Sequence, residues 1–298
     1  MSSPYHPGEI AIQTKAGLRE QANDQAGMYR DTIPTSVAEF LTQHTFGVLS
    51  SEDANGNLWA SPLAGPAGIF SVPDDHSVRI HLDRLDPRID AELARGKLAG
   101  LLVIHFDQRL RIRINGTAHH AANTLTLRIA QFYGNCTKYI QRRIPAPEVT
   151  ANPVSSCLSA DRLTDAQRAW IARSDTFFIA SRHPESGTDA SHRGGRPGFV
   201  TAPDERTIVF PDYRGNNMFN TLGNLEVEPR ASLLFIDFES GASLQLTGNA
   251  AVQWPAPSVA APTGRAIRFE IVAVRELAPS SALRYSLVEP FPYNPPVE

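Results

Sequence analysis

A short basic and polar stretch has the composition of an anion site. Residues 214–217 read Arg-Gly-Asn-Asn and precede an apolar segment typical of a helix. Guanidinium groups form charge-assisted hydrogen bonds with phosphate, and a helix N-terminus adds peptide N–H donors. Gly215 would let the backbone approach the anion closely. Arg214, Asn216 and Asn217 are therefore candidate contacts, the alternative being an ordinary helix cap with a solvated arginine.

A second candidate lies in a predicted strand that contains Ser191, His192 and Arg193. Consecutive side chains of a strand point to opposite faces, so at most one of His192 and Arg193 should face a given groove. We expect Arg193 to face the groove. For His192, a surface position and a contact with a ligand ring are equally good explanations. The glycines at 194, 195 and 198 indicate bends of a curved sheet, or room for a ligand.

A third candidate is the alternation of Arg109, Arg111 and Arg113, which places three cations on one strand face. Like charges side by side repel each other unless an anion or carboxylates compensate. Two interpretations remain open: a solvated edge, or a site for phosphate or for an acidic group of a substrate.

Other signatures of chemistry are missing from the sequence. Cys136 and Cys157 have neither CxxC spacing nor histidines at zinc-type spacing, and we predict no metal. Cys136 would be reactive if Lys138 lowered its pKa, whereas a buried inert cysteine is the alternative. The motifs of nucleophilic hydrolases, P-loop NTPases and Rossmann dehydrogenases are not found.

Length and composition are those of a globular protein of two domains. The chain has 298 residues, of which 42% are hydrophobic and 20% charged, and its formal net charge is −3. This balance favours neither nucleic acid nor an anionic membrane surface as a partner. Without a signal-peptide pattern at the start, and with only two cysteines, we expect a cytoplasmic protein.

The sequence also resembles itself. Residues 60–80 align with residues 190–210 without a gap, and Leu101–Phe106 align with Leu233–Phe238 after a two-residue insertion. Gly65 and Gly68 align with Gly195 and Gly198, Pro73 aligns with Pro203, and several apolar positions coincide as well. A unit this long that occurs only twice indicates a duplicated domain and not a solenoid.

Each repeat is predicted to be mainly β, with antiparallel strands that form a small barrel and one helix that crosses it. The predicted helices are Asn216–Glu228, a segment near Asp90–Arg95, Ile129–Arg143 and one that begins at Thr164. The predicted units are an N-terminal arm (1–33), a first barrel (34–125), a helical bridge (126–170), a second barrel (171–280) and a C-terminal tail (281–298), of which residues 290–298 are expected to be extended and poorly ordered.

The segments Ser191–Phe199 and Phe210–Asn217 resemble the flavin-binding split barrels related to pyridoxamine 5′-phosphate oxidase. The resemblance covers both repeats, is stronger in the second, and is closer to an uncharacterised branch than to the vitamin-making enzyme. It implies antiparallel split barrels that work as a pair, with FMN in the groove between them. Basic and polar side chains of a strand and of the helix start would hold the phosphate.

The resemblance also implies roles for individual residues of the second repeat. Arg193 falls at the phosphate-binding arginine of the family, with Ser191 beside it, and Asp212 and Tyr213 fall at a polar strand end near the flavin ring. The pair at 216 and 217 is asparagine where the family typically has arginine and lysine. This departure weakens the implied phosphate site unless Arg214 supplies the charge.

The two repeats would then form an internal pseudo-dimer. Arg111 and Arg113 lie on the strand from which the opposite barrel of the family reaches the flavin, so one groove would combine them with the second repeat. The symmetry-related groove has Leu82–Arg84 and Gln245 at the corresponding positions, and we expect it to be degenerate. Whether two chains pair again as a homodimer is open.

These observations lead to an FMN-dependent oxidoreductase acting on an unknown small molecule, with NAD(P)H as a possible reductant. One alternative is a flavin-binding module without turnover that passes electrons to a partner protein. Another is a haem-binding split barrel, for which the candidate axial ligands are His105, His119, His183 and His192.

Overall fold

The computed structural model describes residues 3–85, 98–147, 157–255 and 262–297. The helices of these ranges are α1 (Pro7–Lys15), α2 (Arg19–Gln25), α3 (Thr35–Gln43), α4 (Asp165–Arg173) and α5 (Asn220–Val227). The strands are β1 (Phe46–Glu52), β2 (Leu58–Ala64), β3 (Phe70–Asp74), β4 (Ser77–His81), β5 (Leu98–His105), β6 (Leu110–Ala121), β7 (Thr124–Gly134), β8 (Arg142–Pro145), β9 (Cys157–Ala160), β10 (Thr176–His183), β11 (Gly187–Gly194), β12 (Thr207–Pro211), β13 (Arg230–Ile236), β14 (Ser243–Gln253), β15 (Ala266–Leu277) and β16 (Tyr285–Glu289).

Two antiparallel sheets with the same strand order make up most of the molecule. The first runs β2-β1-β5-β6-β7-β4-β3, and the second runs β11-β10-β13-β14-β15-β12, with β9 added beside β15. Each strand of the second order is the duplicate of the strand at the same place in the first. The predicted fold class, two tandem split barrels that are mainly β, is therefore confirmed.

The central strands are buried on both faces because the two barrels pack against each other. In β10, Phe177 and Ile179 point into the second barrel, whereas Phe178 and Ala180 join a separate core that lies between the barrels. In β1, Leu49 points into the first barrel and Val48 into the same shared core. Because side chains alternate between the two faces of a strand, one strand contributes to two cores. This explains why the sequences of these strands are continuously apolar.

The predicted helix at Ile129–Arg143 is wrong, and with it the helical bridge at 126–170. Residues up to Gly134 belong to β7, which pairs with β4 and β6 and completes the first barrel. Leu125, Leu127 and Ile129 are buried at every second position, which is the strand period. The helix predicted from Thr164 is present as α4, and Thr164 and Gln167 form its capping box.

The helix of the second repeat begins four residues later than predicted. It starts at Asn220, because Asn217 and Phe219 both have a φ of 64°, in the left-handed region. Residues 216–219 are consequently a loop. The helix expected near Asp90–Arg95 lies outside the described residues.

The expectation of a poorly ordered end of the chain needs correction. The Phe291 N–H and the Asn294 amide donate hydrogen bonds to the Gln141 side chain, and β16, which directly precedes this segment, pairs with β8. The arm at 1–33 is largely helical. None of the helices in the described ranges is long and apolar enough to cross a membrane.

Helix α1 of the N-terminal arm packs closely on α5 because glycines meet at the crossing. A Cβ atom built on Gly8 would lie 2.2 Å from the carbonyl oxygen of Gly223, and one built on Gly223 would lie 2.5 Å from Cγ of Glu9. Real Cβ atoms do not approach neighbours this closely. Glycine at both positions therefore sets the distance between α1 and α5.

Replacing Gly223 with alanine should lower the free energy of unfolding by about 1–3 kcal/mol, because the added methyl group has to push the two helices apart. Urea denaturation followed by circular dichroism measures the effect. Gly27→Ala is the matched control, since a Cβ atom there meets nothing within 4 Å. Equal stabilities of the two variants would contradict the tight crossing.

Candidate functional site

A small polar cavity lies where the first barrel meets the second. Its volume is about 90 Å³. Strand β6 contributes Arg111 and Arg113, the end of β11 contributes His192 and Arg193, and the loop 211–219 with the start of α5 closes the other side. The structure thus brings together, in one cavity, basic residues that are 80 positions apart in the sequence.

Three arginines converge on this cavity without a carboxylate partner. Among the described residues, Arg111, Arg113 and Arg193 form no ion pair, and the Nε atom of each is buried without a hydrogen-bond partner. Burial, with the neighbouring cations, lowers the pKa of Arg111 to about 9, and burial lowers that of Arg193 to about 10. Both values remain above neutral, so the cavity stays positive.

His192 adds a neutral donor to this cluster. Its side chain is buried, and its Nδ1 accepts a hydrogen bond from Nη1 of Arg111 at 2.9 Å. The ring proton therefore resides on Nε2, which is buried and has no partner. Burial, followed by the repulsion of Arg111 and Arg193, holds the pKa of His192 well below its usual range.

The expectation that only one of His192 and Arg193 would face the groove is wrong, because both line the cavity. Strand β11 is the edge strand of its sheet. Side chains from both faces of this edge strand therefore line the cavity. The alternation of side chains holds, but the groove is not confined to one face.

A buried polar network supports Arg113 from behind the cavity. Arg113 Nη1 donates to the hydroxyl of Tyr133 and to Oδ1 of Asn220, and the Tyr133 hydroxyl donates to Asp189 at 3.0 Å. Burial lowers the pKa of Arg113, but Tyr133 and Asp189 outweigh this and raise it overall. Asn115 also donates to Asp189, at 2.6 Å.

Asp212 lines the cavity and is engaged by Arg265. Nε of Arg265 lies 2.8 Å from Oδ2 of Asp212, and both side chains are buried. Burial raises the pKa of Asp212, although Arg193 and Arg265 both favour its charged form. Asp212 is bound to Arg265 and its charge also interacts with that of Arg193, so this one carboxylate offsets only part of the positive charge of the cavity.

The residues predicted near the helix start divide into two groups. Tyr213, Asn216 and Asn217 line the cavity, and the Asn216 amide donates to Oδ1 of Asn135 at 3.0 Å. The Arg214 side chain is exposed and does not line the cavity, while its carbonyl accepts a hydrogen bond from the Tyr139 hydroxyl. In this geometry, Arg214 therefore does not supply the charge of the arginine–lysine pair that the family typically has at positions 216 and 217.

Ser191 is likewise set back from the cavity. It is fully buried, and its hydroxyl pairs at 3.1 Å with that of Thr221, which itself lines the cavity. In this arrangement, Ser191 fixes the first turn of α5 against β11. A direct contact with a ligand would have to be made by Thr221.

Sequence reasoning did not identify several residues of the site, among them Asn220, Thr221, Tyr139 and Arg265. Tyr139 lies in the segment taken for a helical bridge, and its ring packs at 5.2 Å from that of Tyr213. Arg265 directly precedes β15, whose first residue pairs with Pro211. That strand pairing, had it been predicted, would have placed Arg265 beside Asp212.

The symmetry-related groove has different contacts. Gln245 occupies the position equivalent to Arg113, and its amide donates to the carbonyl of Ala60 and to the Ser61 hydroxyl. Leu82–Arg84 form a short 3-10 turn. The helix that would complete this groove lies outside the described residues, so its degeneracy stays a prediction.

Replacing Asp212 with asparagine should destabilise the protein by about 3–5 kcal/mol, because it leaves Arg265 buried without its partner. Chemical denaturation measures the change. Asp107→Asn is the matched control, since Asp107 accepts from Nε of Arg142 at the same 2.8 Å but both side chains are 39% exposed. We expect at most about 1 kcal/mol there, and similar losses in both variants would contradict the buried pairing.

Comparisons with known proteins bear on the second repeat. The sequence model of the family described as pyridoxamine 5′-phosphate oxidase matches residues 163–283. No curated protein matches the chain.

Three solved structures resemble parts of the chain. HupZ of Group A Streptococcus is 10% identical, with a TM-score of 0.32, and the alignment covers 40% of this chain and 99% of that chain. A Clostridium acetobutylicum protein of the pyridoxinephosphate oxidase family, related to general stress protein 26, is 10% identical, with a TM-score of 0.28 and coverage of 42% and 92%. The FAD binding protein of Mycobacterium smegmatis is 11% identical, with a TM-score of 0.27 and coverage of 41% and 98%.

The family match and the cavity concern the same part of the molecule, because the matched residues include β11, β12 and the start of α5. The first repeat, which lies outside the match, has the same strand order. Residues 163–283, which contain the second repeat, are thus similar to the pyridoxamine 5′-phosphate oxidase family.

Proposed function

We propose that the cavity holds the phosphate of a flavin nucleotide, with FMN as the first candidate, and that the protein is an FMN-dependent oxidoreductase. The observation that carries the proposal is the convergence of Arg111, Arg113 and Arg193 on one cavity without an ion-pair partner among the described residues. Buried like charges are costly unless an anion compensates them. A phosphate ester carries close to two negative charges above its second pKa, at about 6.

The residues present fit the phosphate end of such a ligand. The unpartnered Nε groups of Arg111 and Arg193 are donors of the type that phosphate accepts, and Nε2 of His192 adds a neutral one. The volume of about 90 Å³ is well below the roughly 300–1,000 Å³ that is common for pockets that enclose a whole small-molecule ligand. It accommodates a phosphate group but not a flavin ring as well.

The ring would therefore need space beyond this volume, next to the half-buried side chains of Tyr139 and Tyr213. Aromatic side chains offer a flat apolar surface to a planar ring. When bound, a flavin supplies hydride or single-electron transfer, and the protein supplies orientation and charge. In this proposal Arg193 and Arg111 bind the phosphate, while Arg113 is held in place by Asn220 and Tyr133.

Replacing Arg193 with methionine should weaken FMN binding by about 10- to 100-fold, the equivalent of about 1.5–3 kcal/mol for hydrogen bonds to a charged group. Riboflavin, which lacks the phosphate, should bind wild type and variant alike. Fluorescence titration of both ligands gives the dissociation constants. The matched control is Arg214→Met, whose exposed side chain does not line the cavity, and which should bind FMN normally.

An equal loss of FMN and riboflavin affinity in Arg193→Met would mean that Arg193 does not bind the phosphate group. A loss in Arg214→Met comparable to that in Arg193→Met would mean that the phosphate lies outside the cavity. Retention of FMN without oxidation of reduced nicotinamide nucleotides would favour a module that passes electrons to a partner. Haem absorbance in the purified protein would overturn the flavin proposal.

A further inference from the structure

The N-terminal arm places a carboxyl group directly behind the arginine cluster. Glu9 lies on α1 and is only 4% exposed. Its Oε1 accepts a hydrogen bond from the Asn220 amide at 2.6 Å, and its Oε2 accepts one from the backbone N–H of His6 at 2.8 Å. Neither the family resemblance nor the internal repeat includes this part of the chain, so Glu9 was not a candidate from the sequence.

One amide group connects Glu9 to the cavity. While Nδ2 of Asn220 donates to Glu9, Oδ1 of the same side chain accepts from Nη1 of Arg113 at 3.3 Å. Asn220 and Arg113 both line the cavity. A bound anion and the Glu9 carboxylate would therefore both be stabilised by the positive charge of Arg113, from two sides. Each would weaken the stabilisation of the other.

The groups that face Glu9 make its negative charge costly. Asp189 on β11 repels it, Arg113 on β6 attracts it, and His6 at the start of α1 is neutral because burial lowers the pKa of His6 to about 4. Tyr29, which accepts from the Asn220 amide, and Tyr133 on β7 are kept neutral by burial, which raises their pKa.

The net result for Glu9 is a carboxyl group that is easily protonated. Burial first, and then Asp189, raise the pKa of Glu9 to about 8. At neutral pH most molecules therefore carry the proton, and the charge of Arg113 remains free for a ligand.

We propose that Glu9 sets the charge of the anion cavity through Asn220 and Arg113, so that a dianion binds together with a proton taken up from solvent by the Glu9 carboxyl. This inference rests on the proposed function, since it requires the cavity to bind the phosphate end of a ligand. Linkage gives the sign: an anion disfavours the ionised carboxylate, and the ionised carboxylate disfavours the anion by the same free energy. Affinity therefore falls as pH rises through the pKa of Glu9.

The first test is the pH dependence of FMN binding, by fluorescence titration at constant ionic strength. A pKa of about 8 in the free protein predicts about tenfold weaker binding at pH 9 than at pH 7. Glu9→Gln should remove most of this dependence and leave only the about twofold loss that Arg111, with a pKa of about 9, contributes at pH 9, whereas Glu20→Gln, on the exposed side of α2, should keep the full effect. Sulfate, a dianion over the whole range, should compete with FMN with the same pH dependence.

Persistence of the tenfold effect in Glu9→Gln would place the titrating group elsewhere, for example in Arg111, and would overturn the proposal. Failure of both FMN and sulfate to bind at any pH would overturn the proposed function as well. Normal binding without pH dependence would overturn only the role of Glu9.

The second test needs no variant and so does not depend on the folding of Glu9→Gln. Calorimetric titration with FMN at pH 8, in two buffers with different ionisation enthalpies, gives the number of protons exchanged. About half a proton should be taken up, because Glu9 is half ionised before binding and protonated after it. Zero uptake, or proton release, would contradict the proposal.

Discussion

The junction between the barrels is governed by buried positive charge. Arg111, Arg113 and Arg193 meet where the protein interior replaces water, and in such surroundings like charges repel strongly. The carboxylates nearby are bound to other groups: Asp212 to Arg265, and Asp189 to Tyr133 and two asparagines. This arrangement is unfavourable in the absence of an anion, and the rigid surroundings have to maintain it. Three hydrophobic cores, one inside each barrel and one between them, supply that rigidity.

The two junctions that the duplication creates have different side chains at equivalent positions. Asp189 in β11 aligns with Trp59 in β2, and Tyr133 in β7 occupies the place that Arg275 has in β15. In one junction, the Asp189 carboxylate accepts a hydrogen bond from the Tyr133 hydroxyl. In the other, the guanidinium group of Arg275 lies 4.0 Å from the centre of the Trp59 ring. The same two backbone positions therefore face each other in both halves, but the side chains give one groove a polar network and the other a cation–π contact.

Features that depend on local pattern could be predicted from the sequence, and features that depend on distant contacts could not. Strand alternation was enough to place Arg111 and Arg193 on strands, and the family resemblance implied that these strands meet. The start of α5 was misplaced because the left-handed backbone of Asn217 and Phe219 leaves no trace in the apolar spacing. Strand β7 was missed, although Leu125, Leu127 and Ile129 alternate with polar residues. Strand β7 holds the place in the first sheet that β15 holds in the second. Arg265 enters the site only through the pairing of β12 with β15.

The N-terminal arm shows how a duplicated fold can become asymmetric without changing its strands. Residues 1–33 precede the first repeat, yet α1 packs on α5 of the second, where Gly8 and Gly223 allow a close crossing. This position brings Glu9 to Asn220 and hence to Arg113, across a part of the molecule that neither repeat could reach alone. A carboxyl group inserted from outside the barrels can adjust the charge of the junction while the arginines remain fixed by their strands. The scaffold and the control of its charge are therefore carried by separate segments of the chain.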